Sequence, residues 1–250
     1  MLIPGPSLLF RLLVCLMFTV GPGVVFAVQA DSTRASVKRT TDFNVSGDGT
    51  AVNWNSTNWI FISKQESSTT KNLQTKVKML YSDLGIYFLF RCDDQKITAT
   101  LQEDFTALFK EDVVEVFLWP DEGVPIYFEY ELSPLNYELP ILVPNLNGRI
   151  QGWAPWRYEG KRKVRHATSV EGGERKSNSA ITSWSAEFFI PFALLSPIVP
   201  QKPGPGTKWR ANLYRIDYDD GYTTWTWQKT TLGKGGNFHE YKKFGTLVFE

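Results

Sequence analysis

The chain of 250 residues is poor in the residue types that most catalytic and metal sites require. It has two cysteines, Cys15 and Cys92, and two histidines, His166 and His239. If Cys15 leaves with an N-terminal leader, Cys92 stands alone, which excludes an intramolecular disulfide and a cysteine-based zinc site. Two histidines do not make a His-rich metal centre. Cys92 is followed by Asp93 and Asp94, carboxylates that disfavour a thiolate, and no Gly-x-Ser-x-Gly elbow exists, so nucleophilic catalysis has no motif here. Net charge is nearly absent too, with 27 basic residues against 26 acidic ones. Loss of Arg11 with the leader makes the balance even. Such a chain lacks the basic field that nucleic-acid binding needs, and a neutral partner suits it better. Beyond the N-terminus no apolar run approaches the length of a membrane span. Amphipathic helical periodicity is almost missing as well.

The first thirty residues carry one basic residue, Arg11, an apolar run broken by Gly21-Pro22-Gly23, and small residues at Ala27 and Ala30. This pattern predicts a secretory signal peptide over 1–27, with cleavage as late as residue 30, and therefore a secreted or periplasmic protein. Residues 28–40 are polar and read as a flexible lead-in. One domain is expected over 41–250. Asn44 and Asn55 fit the Asn-x-Ser/Thr acceptor pattern.

Period-two patterns fill the rest. "TKVKMLYSDLGIYFLFRCDD" reads as a hairpin, "DVVEVFLWP" as a strand stopped by Pro120, and "VPIYFEYELSP" as a strand with Glu129 and Glu131 on its wet face. "SAITSWSAEFFIP", "TKWRANLYRIDY" and "KKFGTLVFE" complete the strands, and "PFALL" is a helical turn begun by Pro191. Residues 97–112 suit a short helix, 144–163 a long loop and 171–180 an exposed hairpin tip. The fold class predicted is all-β, a single antiparallel β-sandwich with one or two short helical turns.

What the chain has in abundance is aromatic side chains, 14% of residues with nine tryptophans. Trp225 and Trp227 lie two apart, so on a strand both indoles share one face, roughly 6.6–6.8 Å apart. The residues between and around them, Tyr222, Thr224, Thr226 and Gln228, are polar and predict a wet opposite face. Trp153 and Trp156 sit among Gly and Pro in the long loop, where recognition residues collect. Trp119 and Trp184 read as structural. Sugar rings pack their C–H faces on aromatic rings and seek charged partners at the rim, a role open to Arg215 and Asp217. Candidate catalytic carboxylates are Asp93, Asp94, Glu111, Asp112, Glu115, Glu129 and Glu131. No pattern isolates one of them in an apolar pocket, as a raised pKa requires. "CDD" at 92–94 and "DYDD" at 217–220 are the best places for a hard cation.

Five segments in order resemble the carbohydrate-binding module family 9-like domain, a relative of the DOMON-type β-sandwiches. They are "FNVSGDGTAVNWNSTNW", "TKVKMLYSDLGIYFLFRCDD", "EDVVEVFLWPDEGVPIYFEYELSPLN", "WSAEFFIPFALL", and "GTKWRANLYRID" followed by a tryptophan segment and "FHEYKKFGTLVFE". The resemblance implies a non-catalytic module that binds an oligo- or polysaccharide, linked to carbohydrate catabolism through its glycoside-hydrolase-attached members. It implies tryptophans that clamp a sugar, and structural calcium in some members. The sugar-binding candidates are then Trp225, Trp227, Trp153, Trp156, Arg215 and Asp217. Glu115, Pro191, Arg210 and Gly245 fall in motif blocks and read as fold determinants. Two alternatives accompany this reading: a b-type haem electron-transfer domain, with Met79 as an axial ligand, and a glycoside hydrolase.

Overall fold

The computed structural model describes residue 1 and residues 33–67, 70–199, 201–231 and 237–250. The expected leader over 1–27, beyond Met1, lies outside the described residues. Among these, fourteen strands build the domain that spans Ser32–Glu250. They are β1 (Arg34–Arg39), β2 (Ile60–Glu66), β3 (Thr75–Tyr81), β4 (Gly85–Asp93), β5 (Val113–Trp119), β6 (Ile126–Leu132) and β7 (Glu138–Leu146). There follow β8 (Arg149–Ile150), β9 (Ala154–Pro155), β10 (Arg165–Glu171), β11 (Ser183–Pro191), β12 (Lys208–Asp217), β13 (Thr223–Thr226) and β14 (Gly245–Phe249). One helical turn, α1 (Phe192–Leu195), follows β11, and short 3-10 turns punctuate the loops. The fold is the all-β sandwich that the alternation predicts.

One sheet runs β10-β11-β4-β3 and the other β14-β12-β5-β6-β7. Two strands pass between them. β1 pairs with β14 over Arg34–Val37 and with β3 at Lys38 and Arg39, parallel in both cases. β2 pairs with β3 over Ile60–Ile62 and then with β13 from Ser63 onward. Their crossings hydrogen-bond the two sheets to each other and leave fewer open edges. All other pairings are antiparallel. Within the expected flexible lead-in over 28–40, β1 corrects the reading for residues 34–39. Its Ala35 and Val37 alternate inward and are buried, a signal too short to stand out among polar neighbours.

The β3–β4 hairpin forms as expected, with Ser82 N–H donating to the Gly85 carbonyl at 2.9 Å. Gly85 is required there: a Cβ would stand 2.4 Å from the Ile190 carbonyl oxygen on β11. Between the sheets lies the main core, which includes Val77, Met79, Phe88, Phe90, Val116, Phe128, Tyr130, Phe188 and Leu213. Each such side chain contributes about 1.5–3 kcal/mol by burial.

The outer faces are also covered. Over β3, β4 and β11, the segment 43–59 lays Phe43 and Trp54 on Leu80, Tyr87, Leu89 and Phe189. Glu187 on β11 secures this cover. Its Oε2 accepts from the amides of Ser46 and Gly47 at 3.0 and 2.8 Å, and its Oε1 from Trp54 Nε1 at 2.9 Å. Over β5, β6, β7 and β12, loops bring Leu108, Phe109, Tyr218, Tyr222, Phe238 and Phe244 onto Phe117, Tyr127, Ile141 and Tyr214. No helix among the described residues is long and apolar enough to cross a membrane.

Candidate functional site

The second cover is incomplete, and the gap is a cavity of about 320 Å³. Its floor is the outer face of β5 and β6. Antiparallel pairing sets Glu115 opposite Glu131 and Phe117 opposite Glu129, so three carboxyls share one face of two neighbouring strands. Glu115 and Glu129 line the cavity, with Ile141 and Ile216 beside them. The walls come from four loops, which supply Phe109, Trp153, Tyr218 with Tyr222, and Phe238 with His239. Phe109 and Trp153 meet edge to face at 6.0 Å. Phe238 stacks on Tyr214 at 4.1 Å, and the Tyr214 hydroxyl donates to the Phe238 carbonyl at 2.8 Å. Arg210 donates to the carbonyls of Lys242 and Phe244, which fixes the loop that carries these residues.

Water is largely withheld from the acids: Glu115 is 1% exposed, Glu129 5% and Glu131 0%. Burial pushes the Glu115 carboxyl well above the usual range, and neighbouring Glu129 adds to the rise. Burial lifts Glu129 to about 8. Glu131 is raised strongly by burial and then by Glu115 and Glu129. All three shifts favour the protonated form, because isolated carboxylates are disfavoured away from water. Glu115 Oε1 and Glu129 Oε2 are buried without a hydrogen-bond partner. His239 Nδ1 lies 2.7 Å from the Tyr127 hydroxyl and 4.0 Å from Glu129 Oε2, and burial lowers its pKa to about 4. A neutral imidazole therefore caps the acidic floor.

Of the six residues expected to bind sugar, only Trp153 lines this cavity, and it is 48% exposed. Trp156 turns toward the main core and meets Phe128 at 5.9 Å. Trp225 is 1% exposed and belongs to the core, so it offers no sugar a face. Its Nε1 donates to the Leu73 carbonyl at 3.2 Å. Trp227 is half-buried against the same core, in the space left by Gly245, where a Cβ would come 2.5 Å from its ring. The wet opposite face is also absent, since Thr224 and Thr226 are fully buried where β13 is sandwiched between β12 and β2. Arg215 is not a rim group. It is fully buried, stacked 4.5 Å over Trp225 and ion-paired with Asp94 at 3.0 Å and Asp217 at 2.7 Å. Glu129 and Glu131 likewise stand on a covered face, not a wet one, and Glu115 lies on the cavity floor.

The two acidic stretches do meet: Asp94, Asp217 and Asp219 bring carboxylate oxygens within 4.8 Å of one another. They do not fit the calcium that the resemblance allows. Every oxygen of Asp94 and Asp217 already accepts a hydrogen bond, from Gln95 N–H, Trp184 Nε1 and Arg215 in one case and from Asp219 N–H and Arg215 in the other. Arg215 supplies the positive charge, and only Asp219 Oδ2 is left over. Met79 is 1% exposed in the core opposite Phe88, a gap-filling position and not that of a haem ligand. Burial drives the Cys92 thiol up to about 12, which leaves it inert.

Fold and site together define a β-sandwich with an aromatic-walled cavity on the outer face of a sheet. The chain belongs to the carbohydrate family 9 binding domain-like family, whose model matches residues 45–250. Among solved structures it is similar to a candidate carbohydrate-binding protein from Bacteroides uniformis ATCC 8492. That match has 18% identity and a TM-score of 0.70, and covers 87% of this chain and 99% of the other. It is similar as well to a carbohydrate binding module family 9 from Caldicellulosiruptor kristjanssonii, solved in complex with cellotriose and with glucose. Identity is 16% in both, with TM-scores of 0.59 and 0.58, covering 87% of this chain and 93% and 95% of the others. No curated protein sequence matches the chain.

Proposed function

We propose that the chain is an exported, non-catalytic carbohydrate-binding protein that holds a sugar in the cavity over β5 and β6. The observation that carries this reading is the cavity itself, which sets aromatic walls above hydrogen-bonding carboxyls. Pyranose rings present both kinds of surface, C–H faces and hydroxyl edges. Family membership and the sugar-bound Caldicellulosiruptor structures support the ligand class, and resemblance to modules of glycoside hydrolases supports a place in carbohydrate catabolism. Trp153 is the stacking tryptophan in this proposal.

The absence of chemistry follows from where the acids stand. Glycoside hydrolysis sets two carboxyl groups on either side of the scissile bond. Here Glu115, Glu129 and Glu131 all rise from the same face of one sheet, and the described walls opposite them are aromatic. Calorimetry with neutral, acidic and amino sugars and their oligomers tests the reading. Binding by a member of that panel, lost in Trp153→Ala, is expected. Failure of every sugar to bind sinks it. Reducing-sugar release from oligomers would overturn the non-catalytic part.

A further inference from the structure

We infer that the cavity selects a sugar bearing a free amino group, a glucosamine-type residue in its ammonium form, over neutral and acidic sugars. This rests on the carbohydrate-binding reading and specifies its ligand class. Three features of the cavity converge on it. First, Glu115 Oε1 and Glu129 Oε2 are buried acceptors without a partner. Nearly all buried polar atoms in native proteins are paired, so these two await donors that the described residues do not provide. Second, no Lys or Arg is found among the described lining residues. A uronate or sulfated sugar would bring its negative charge to an acidic floor with no cation among the described lining residues to receive it. Third, the walls are aromatic: Phe109, Trp153, Tyr222 and Phe238. Aromatic faces around an acidic base form the recognised cage for an organic ammonium.

A bare metal ion fits less well. Among the described residues only Asp94, Asp217 and Asp219 bring three ligand atoms within 4.8 Å of one another, and the floor glutamates do not. The aromatic walls also call for an apolar body attached to the charge. A neutral sugar can hydrogen-bond the floor but offers it no charge. An ammonium donates three hydrogen bonds, and a positive charge within about 4–6 Å favours the ionised carboxyl. The other titratable groups facing Glu129 do not pre-empt this role. Glu131 is a third acid, Tyr127 and Tyr214 are held neutral by burial, and His239 is uncharged above about pH 4.

The test compares glucosamine, N-acetylglucosamine and glucose by calorimetry on the whole protein at pH 7. N-acetylation keeps the ring and removes the charge. Glucosamine is expected to bind about tenfold or more tighter than either, the scale of one desolvated cation–π or charge contact. In Glu115→Gln and Glu129→Gln, checked for folding by circular dichroism, that ratio is expected to collapse toward one. Equal affinity for all three sugars, or an unchanged ratio in both variants, overturns the inference and leaves the carbohydrate-binding reading intact. Binding by no sugar of the wider panel overturns both.

Discussion

Replacing Glu129 by glutamine keeps the outline and hydrogen-bonding capacity of a protonated glutamate and removes its ability to ionise. The consequence can be worked out from the burial of the cavity floor. A carboxyl held above its ordinary value keeps its proton in the folded state at pH values where the unfolded chain has lost it. The folded state then binds more protons, and stability falls as pH rises through the interval between the two values. For Glu129 the interval runs from about 4.3 in the unfolded chain to about 8 in the fold. At about 1.4 kcal/mol per unit the full interval is worth about 5 kcal/mol. Glu115 and Glu131 titrate with it, so the share that the variant recovers is on the order of 2–5 kcal/mol.

His239 acts in the opposite sense. Its pKa is lowered to about 4, so stability is gained as pH rises from there to about 6.5. The decline due to the acids therefore stands clear from pH 6.5 to 8. Asp94, raised to about 7, adds to it equally in both proteins and cancels in the difference. Urea unfolding followed by tryptophan fluorescence at pH 5, 6.5, 8 and 9 measures the effect. Glu129→Gln is expected to gain on the wild type steadily up to pH 8 and to hold a constant advantage above it. Parallel stability curves, or a wild type that gains stability between pH 6.5 and 8, would refute the assignment of a protonated floor.

Three substitutions separate cavity from scaffold. Trp153→Ala, at a half-exposed position, is expected to shift stability by no more than about 0.5 kcal/mol and to weaken sugar binding about tenfold or more, read by urea unfolding and calorimetry. Trp225→Ala removes a buried indole from beneath the Arg215 guanidinium and is expected to cost about 3–5 kcal/mol in urea unfolding, where a surface platform would cost almost nothing. Glu187→Ala strands the amides of Ser46 and Gly47 and the Trp54 indole N–H. A loss of about 3–5 kcal/mol and early proteolytic cleavage within 40–56 are expected, and an intact segment would count against the staple.

Most of the fold was legible in the sequence, because period-two alternation reports which residues face the space between the sheets. The β3–β4 hairpin, β5, β6, β11, α1 and β12 all fall where that pattern puts them. The site was far less legible, and for one physical reason. Alternation cannot show that the second face of a strand is covered by a distant loop. Glu129 and Glu131 have the spacing of a solvated face, yet residues 100 positions and more away in sequence, Phe238 and His239, close over that face. Thr224 and Thr226 mislead in the same way, because β2 pairs with β13 and shuts out water. One signal did exist. Glutamates recurring at alternate positions on adjacent strands, with aromatic loops on either side, are an uneconomical way to build a wet face. Trp153, placed among Gly and Pro, stood out by the same kind of reasoning, and it lines the cavity.

The two covered faces treat their buried acids differently. Over β4 and β11 the cover closes, and its one buried acid, Glu187, is fully hydrogen-bonded. Over β5 and β6 it stays open above acids whose buried oxygens lack partners. Stability alone would favour apolar residues at those positions, since replacing both members of a buried polar pair by apolar groups of like shape is neutral or stabilising. The double variant Glu129→Met, Glu131→Met, which removes two neighbouring buried acids together, is therefore expected to gain about 1–4 kcal/mol at pH 8 and to lose sugar binding. Urea unfolding and calorimetry on one preparation give both numbers. A double variant that is destabilised would mean that the acids hold the fold, and the trade of stability for ligand recognition would have to be given up.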